Sequence, residues 1–324
     1  MELEENLNFN DPFYQFKLFN YNKYFEYLDN LNKKKILPQV NLISGPAGYG
    51  KQTFIFHFIN YLLSSEKDDK YNYSRKEISR NNIDYKLMLE GIHPNFYFLD
   101  LKEKKKSIEI DQVRKINKYL QNTSFNKSIK YIMINNCEKL NSSSSNALLK
   151  ILEEPGKNNF FFLIYDNSEF LLNTIKSRCI ELKINFTDSE KREIINELCL
   201  LHIKNFKQSY FDKEINDFYI GSPGLIFNYM KYKYENDDIK NEEHKHLLLD
   251  YFVTKYLKSK ESCLLRIIYL LLENIFYTKI KDNKSNIKLY VDRKNAFKKL
   301  NLMNSLNLDE KNVFQEIKGI IANV

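Results

Sequence analysis

A glycine-rich segment, GPAGYGKQT, has nearly the spacing of a phosphate-binding loop, G-x-x-x-x-G-K-[ST]. The backbone N–H groups of such a loop surround phosphate oxygens, and its lysine reaches the β- and γ-phosphates. Gly45, Gly48, Gly50 and Lys51 supply these parts. The hydroxyl residue that should bind Mg²⁺ is replaced by Gln52, which is a poor magnesium ligand. The segment therefore predicts a phosphate site that is altered at the metal position.

The second half of an ATP-hydrolysing site is also altered. Hydrolysis needs an acidic residue at the end of a buried strand to hold Mg²⁺, and a carboxylate that orients the attacking water. After the apolar run YIMI come the neutral amides Asn135 and Asn136, a degenerate Walker B position. Glu138, three residues beyond Asn135, is a weaker substitute, and Thr53 points about 100° away from position 52 on a helix. These joint losses argue against self-catalysed hydrolysis, whereas residual binding of ATP or ADP phosphate stays open.

A third candidate for chemistry is Arg178, between Ser177 and Cys179 in the segment TIKSRC. It precedes a short predicted strand. It is either a surface arginine, or one that fixes the strand end through an ion pair, or an arginine finger aimed at phosphates bound by a neighbouring subunit. Spacing alone does not decide between these interpretations.

Short apolar runs that alternate with helical patterns must position these residues. Helical spacing follows the glycine-rich loop and recurs over residues 110–120. Another helix is predicted over SSSSNALLKILEEP, with a serine cap and with Pro155 just past its end. The strands are apolar on both faces, which predicts an α/β fold with a parallel sheet covered by helices. Predicted strands cover residues 41–45, 95–100, 129–135, 160–165 and 179–184.

Helical periodicity dominates after residue 184. Thr187 and Glu190 form a capping-box pattern. GSPG breaks one helix and opens another, residues 234–243 could be a linker, and residues 281–286 form an internal loop. We predict three parts: an α/β domain over residues 1–184, a small helical domain over 185–233, and a second helical domain over 240–324.

Composition limits the class of protein. The chain has 324 residues, 43% of them hydrophobic, and its longest apolar region is interrupted by Arg266 and Glu273. That region is too short to span a bilayer. The acidic start lacks the positive region of a secretory signal, so a soluble, cytoplasmic protein is expected. The net charge of +8 is compatible with a nucleic-acid partner but does not require one.

The cysteines have no C-x2-C metal spacing and are expected to be reduced. They are Cys137, Cys179, Cys199 and Cys263.

Six segments, in this order and rough spacing, resemble the bacterial DNA polymerase III clamp loader of the AAA+ family, and most of all its delta-prime subunits. They are GPAGYGK, HPNF, IEIDQVRKI, SSSSNALLKILEEP, LLNTIKSRC and GSPG. The resemblance covers about residues 35–230, and the remainder matches only in length and helical character. It implies an AAA+ α/β domain, a helical lid, and a helical collar through which subunits assemble. The complex opens the sliding clamp and closes it on primed DNA.

The resemblance also implies roles for particular residues. Delta-prime subunits look like the non-hydrolysing members, and Arg178 would be the finger presented to an adjacent tau/gamma subunit, with Ser177 and Cys179 as motif neighbours. The implied partners are tau/gamma and delta subunits, with the clamp and primed DNA reached through the complex and no membrane. Many relatives carry a four-cysteine zinc module, but residues 64–92 contain no cysteine. We therefore predict no zinc and no required cofactor. Gly224 stands where AAA+ ATPases often place a phosphate-sensing arginine.

Other interpretations stay open at this point. An autonomous tau/gamma-type ATPase is opposed by Gln52, Asn135, Asn136 and Gly224. A small-molecule kinase would need clustered arginines in a lid and an intact Mg²⁺ site, and neither is found. A DNA-binding module is compatible with the charge, but no sequence-reading motif is recognised. Lys150 is either a solvated lysine or a contact to the DNA backbone.

Overall fold

The computed structural model describes residues 12–64, 69–102, 105–121, 128–167, 170–204, 206–215, 221–240, 242–283, 286–306 and 308–322. The chain divides into two compact units, Met1–Glu190 and Lys191–Val324. The first contains a parallel sheet with helices, and the second is helical. The predicted fold class is thereby confirmed. The further division of the helical part into a lid and a collar stays a prediction.

Five strands form one parallel sheet in the order β2-β3-β4-β1-β5. Each lies within one residue of its predicted bounds at both ends. Every residue of β1 and β3 is buried, because neighbouring strands flank them and helices cover both faces. That double burial produces the unbroken apolar runs in the sequence. The strands are β1 Val40–Ser44, β2 Phe96–Leu99, β3 Lys130–Ile134, β4 Asn159–Tyr165 and β5 Ile180–Lys183.

Helices cover the two faces of this sheet with different side chains. Towards α4 and α5 the core is largely aliphatic and includes Val113 and Leu148. Towards α1 and α2 it is aromatic: the ring centroid of Phe58 lies 5.4 Å from that of Phe25 and 6.1 Å from that of Phe162. The helices are α1 Asn22–Lys33, α2 Lys51–Leu63, α3 Ile83–Leu89, α4 Ile110–Gln121, α5 Ser142–Glu153 and α6 Asn173–Lys176, with 3-10 turns at Pro12–Tyr14 and Cys137–Lys139.

The cap of α5 differs from the prediction. The expected serine cap is wrong, since Asn141 precedes the helix and its Oδ1 accepts a hydrogen bond from the Ser144 N–H at 2.8 Å. Asparagine caps a helix at least as well as serine. The Ser144 hydroxyl is then available to donate to the Ile108 carbonyl at 2.8 Å. This bond ties the start of α5 to the segment before α4.

The second unit consists of helices around one hydrophobic cluster, which includes Ile195 and Ile321. The predicted capping box is confirmed at the start of α7, where the Glu190 N–H donates to Thr187 Oγ1 at 3.2 Å. Of the possible linker over residues 234–243, Tyr234 is the last residue of α9, and the described residues 235–240 and 242–243 lie between α9 and α10. Among the described residues, no helix is both long and apolar enough to cross a membrane. The helices are α7 Asp188–His202, α8 Gln208–Ile215, α9 Pro223–Tyr234, α10 Lys245–Ser259, α11 Ser262–Asp282, α12 Ile287–Leu306 and α13 Glu310–Ala322.

Candidate functional site

The glycine-rich loop joins β1 to α2, as predicted. At Gly45 a Cβ atom would lie 2.7 Å from the carbonyl oxygen of Ile184, so only glycine fits the close approach. Gly50 precedes α2 with φ of 82°, in the left-handed region that favours glycine. Gly48 is exposed between them with φ of 72°. The backbone itself therefore requires this glycine spacing, whether or not phosphate binds.

Lys51 is buried, with 5% of its surface exposed. Its Nζ donates to the carbonyl oxygens of Gly45 at 2.7 Å and Pro46 at 2.8 Å. Burial lowers the pKa of Lys51 to about 8, although the negative charges of Asp166 and Glu138 oppose that shift. In a phosphate loop this ammonium faces the β- and γ-phosphates. Here it binds carbonyl groups of its own loop.

A hydrogen-bonded network of side chains occupies the metal position. Gln52 lies in the first turn of α2, and Asn135 and Asn136 directly follow β3. Asn135 Nδ2 donates to Gln52 Oε1 at 2.9 Å and to Asp100 Oδ2 at 2.9 Å. Asn136 Nδ2 donates to Asp100 Oδ1 at 2.7 Å. The structure thus brings Gln52, Asn135 and Asn136 together, and adds Asp100. We call these four residues the amide network.

The chemistry of the amide network does not fit a magnesium site. An ionised carboxylate only accepts hydrogen bonds, so Asp100 fixes the orientation of both asparagine amides. Its Oδ1 also accepts from the Leu101 N–H at 2.6 Å. Magnesium takes oxygen ligands, whereas amide N–H groups here point at the one carboxylate of the network. The oxygen atoms of Asp100 are engaged by these donors, and Gln52 Oε1 accepts from Asn135.

Asp100 is the residue that the sequence interpretation missed. It follows β2, which is hydrogen-bonded in parallel to β3. Residues after the carboxyl ends of adjacent parallel strands lie at the same edge of a sheet. The final aspartate of NFYFLD was therefore an available signal, but only once β2 was known to pair with β3.

Glu138, the weaker candidate for the missing carboxylate, lies on the 3-10 turn after β3. Its side chain is 7% exposed. Burial, with a smaller contribution from the nearby charge of Asp166, raises the pKa of Glu138 to about 7. A carboxyl with this pKa is only partly ionised at neutral pH. Its charge interacts with Lys51, which places it near the loop.

Arg178 lies on the turn between α6 and β5. Its backbone N–H donates to the Ile175 carbonyl at 3.1 Å. Its Nη1 donates to the Thr174 carbonyl at 2.9 Å, and its Nη2 lies 2.5 Å from Glu153 Oε1. The side chain is 33% exposed. An ion pair at the strand end, one of the alternatives that the sequence left open, is therefore present, whereas the role as an arginine finger stays a prediction.

The motif neighbours of Arg178 fix the same turn. Ser177 Oγ donates to the Thr174 carbonyl at 3.1 Å, and Cys179 Sγ contacts the Ile175 carbonyl at 3.1 Å. Burial raises the pKa of the Cys179 thiol to about 12, with a smaller contribution from Glu181. The thiol therefore stays protonated and unreactive at neutral pH. Both side chains serve to hold the backbone from which Arg178 projects.

Arg178 and the glycine-rich loop lie at opposite ends of the parallel strands. We call the side of the sheet where the strands begin and the side where they end its two edges. β1 and β5 are parallel, with Asn41 opposite Ile180 and Ser44 opposite Lys183. The loop follows the carboxyl end of β1, whereas Arg178 precedes the amino end of β5. About 10 Å of strand separates the two edges. The described contacts of Arg178 are accordingly with Thr174 and Glu153, not with the loop of its own chain.

Two further predicted residues lie on helices. Lys150 is exposed on α5. Gly224 lies in the first turn of α9, which Ser222 caps. Within the described ranges, no group of three or more histidine, cysteine, aspartate or glutamate side chains is placed to hold a metal ion. The absence of zinc stays a prediction.

The parallel sheet, with the glycine-rich loop between β1 and α2 at the carboxyl ends of its strands, defines an α/β domain of the P-loop type. The sequence profile of the family described as "DNA polymerase III, delta subunit" matches residues 21–188, more than half of the chain. The chain belongs to this family, which confirms the predicted family resemblance.

Relatives with established names agree with this assignment. The DNA polymerase III subunit delta-prime of Pseudomonas aeruginosa is 32% identical over 140 residues, 43% of this chain and 41% of the relative. The DNA polymerase III subunit gamma of Buchnera aphidicola (subsp. Schizaphis graminum) is 30% identical over 236 residues, 68% of this chain and 61% of the relative. The match spans 28% to 41% of the length of the first delta-prime relatives. A gamma subunit-related protein of Thermotoga maritima, whose structure is solved, aligns with a TM-score of 0.45 and 20% identity, covering 91% of this chain and 98% of that one.

Proposed function

We propose that this chain is a non-hydrolysing subunit of a DNA polymerase III clamp loader, and that it presents Arg178 to a nucleotide bound by a neighbouring subunit. The position of Arg178 carries the proposal. Because it lies at the edge of the sheet opposite its own loop, Arg178 is far from any phosphate that this loop would hold. It is also partly exposed. A guanidinium so placed suits a phosphate that another chain brings to it.

The role of Arg178 in this proposal is electrostatic. Negative charge spreads over the phosphate oxygens in the transition state of phosphoryl transfer, and a fixed guanidinium stabilises it. Arg178 would face the nucleotide site of the neighbouring subunit, and we call that site the served site. Arg178 transfers no proton in this role. Its contribution is position and charge.

The amide network supports the non-hydrolysing part of the proposal. Asn135 and Asn136 replace the carboxylates that would hold Mg²⁺ and orient water, and both amides bind Asp100 instead. Lys51 binds carbonyl groups of its own loop. Residual ATP or ADP phosphate binding by the loop is compatible with the proposal but not required. The proposal includes no zinc and no required cofactor.

The proposed partners are tau/gamma and delta subunits, with the sliding clamp and primed DNA reached through the complex. We propose the cytoplasm as the place of action. Residues 185–233 would act as the lid and residues 240–324 as the collar through which subunits assemble. Contact with DNA would be independent of sequence, since phosphate contacts alone do not read bases.

An ATP-hydrolysing subunit of the tau/gamma type is the second candidate. The similarity to the Buchnera gamma subunit, which extends over 68% of this chain, favours it. It requires an intact magnesium site, and the amide network opposes that. Gly224, where an arginine would sense phosphate, opposes it as well.

Assembly is the first test of the proposal. The chain, co-expressed with tau/gamma and delta subunits of the same organism, is expected to elute with them as one complex in size-exclusion chromatography. The separate chain, run as a control, should elute alone. If the chain fails to co-elute at micromolar concentrations while the other subunits assemble without it, the clamp-loader assignment is wrong.

A further inference from the structure

Among the described residues, Glu153 is the acidic partner of Arg178. It is the last residue of α5, and its Oε1 lies 2.5 Å from Arg178 Nη2. Its side chain is 51% exposed. The segment after α5 leads to the amino end of β4, so the pair lies at the sheet edge opposite the glycine-rich loop. Glu153 is therefore next to the group on which the proposed function depends.

Stability does not explain this contact. An exposed ion pair contributes little to stability. A negative charge in the last turn of a helix is disfavoured to a similar extent through the helix dipole. The two effects have similar size and opposite sign. A carboxylate at position 153 thus adds little net stability.

The contact does restrict the direction of Arg178. An arginine side chain has many rotamers, so a freely moving guanidinium would rarely point in one direction. The Thr174 carbonyl engages Nη1 and the Glu153 carboxylate engages Nη2. Arginine has five N–H donors, so donors remain beyond these two bonds. A phosphate approaching from outside would meet a guanidinium that is already oriented.

We propose that Glu153 is a positioning residue, which orients the guanidinium of Arg178 towards the phosphates of the served site. The inference rests on the proposed function, because it gives Glu153 a role only if Arg178 acts in trans. Glu153 does not itself touch the nucleotide. Its carboxylate also balances the charge of Arg178 before the neighbouring subunit binds.

The test uses the complete reconstituted complex with Glu153→Ala, Glu153→Gln and the matched control Glu154→Gln. Glu154 is the adjacent exposed acid, so its substitution removes the same charge without the contact to Arg178. We expect Glu153→Ala to lower the rate constant of ATP hydrolysis at the served site about tenfold, with little change in the KM for ATP. Glu153→Gln should lose less, because its amide oxygen still accepts from Nη2. Glu154→Gln should match the wild type.

A second background separates this inference from the proposed function. In a chain that already carries Arg178→Ala, adding Glu153→Ala should cause no further loss, since the group to be positioned is gone. The inference is overturned if Glu153→Ala hydrolyses ATP at the wild-type rate or faster, or if its loss persists in the Arg178→Ala background. If Arg178→Ala itself has no effect, the proposed function fails, and this inference fails with it.

Discussion

Replacing Arg178 with alanine is expected to slow ATP hydrolysis at the served site of the reconstituted complex about 10³-fold or more. In the proposed function, the variant removes the positive charge that would stabilise the transition state, while the nucleotide and its magnesium would stay with the neighbouring subunit. Rapid-mixing measurements of the hydrolysis burst detect this directly, because the burst should lose the share contributed by the served site. Size-exclusion chromatography should show an intact complex, since Arg178 is an exposed side chain whose backbone bonds remain.

Two controls sharpen this prediction. Arg178→Lys keeps the charge but lacks the planar fork of the guanidinium, so it should recover only part of the rate. Lys176→Ala removes a neighbouring cation from the end of α6 and should leave the burst unchanged. A normal burst with Arg178→Ala, in a complex shown to contain the variant, would remove Arg178 from the proposed role.

The second large effect is expected for Asn135→Asp. Asn135 Nδ2 lies 2.9 Å from Asp100 Oδ2. At pH 7 the substitution replaces this nitrogen with an oxygen of a carboxylate. Two hydrogen bonds are lost and two like charges face each other. We expect the free energy of unfolding of the first unit to fall by about 2–3 kcal/mol, measured by urea denaturation.

The pH dependence identifies the cause of that loss. Repulsion raises the folded-state pKa of the carboxyl pair above the value in the unfolded chain, so the penalty is present at pH 7 and shrinks as the pH falls below that raised value. Asn135→Ala loses the same hydrogen bonds without adding charge, and its penalty should not shrink in this way. Equal losses for the two variants at pH 7 and at pH 5 would show that Asn135 and Asp100 are not in direct contact.

The sequence predicted the inner strands β1, β3 and β4 well because almost all of their residues are buried. β3 is buried at every residue, and such a strand leaves an unbroken apolar run that needs no partner to be recognised. The glycine-rich loop was predictable for a similar reason: Gly45 and Gly50 are required by the local backbone. These features depend on local burial and local backbone conformation, so short sequence patterns are enough to predict them.

Contacts between distant segments could not be predicted in this way. The bond from Asn136 to Asp100 joins residues that follow two different strands, and its existence depends on the pairing of β2 with β3. The pair of Arg178 with Glu153 requires the end of α5 to meet the turn before β5. The prediction of the α5 cap was wrong for another reason. Asn141 and the serines after it are all good N-cap residues, so the sequence does not distinguish between them.

ATP hydrolysis by the isolated chain tests the central claim most directly, namely that this subunit serves a nucleotide held elsewhere and does not turn over its own. The measurement is the steady-state release of phosphate with excess ATP and Mg²⁺, for the wild type and for Lys51→Ala. We predict that both release phosphate at the background rate. Magnesium-dependent turnover by the wild-type chain that disappears in Lys51→Ala would contradict the account.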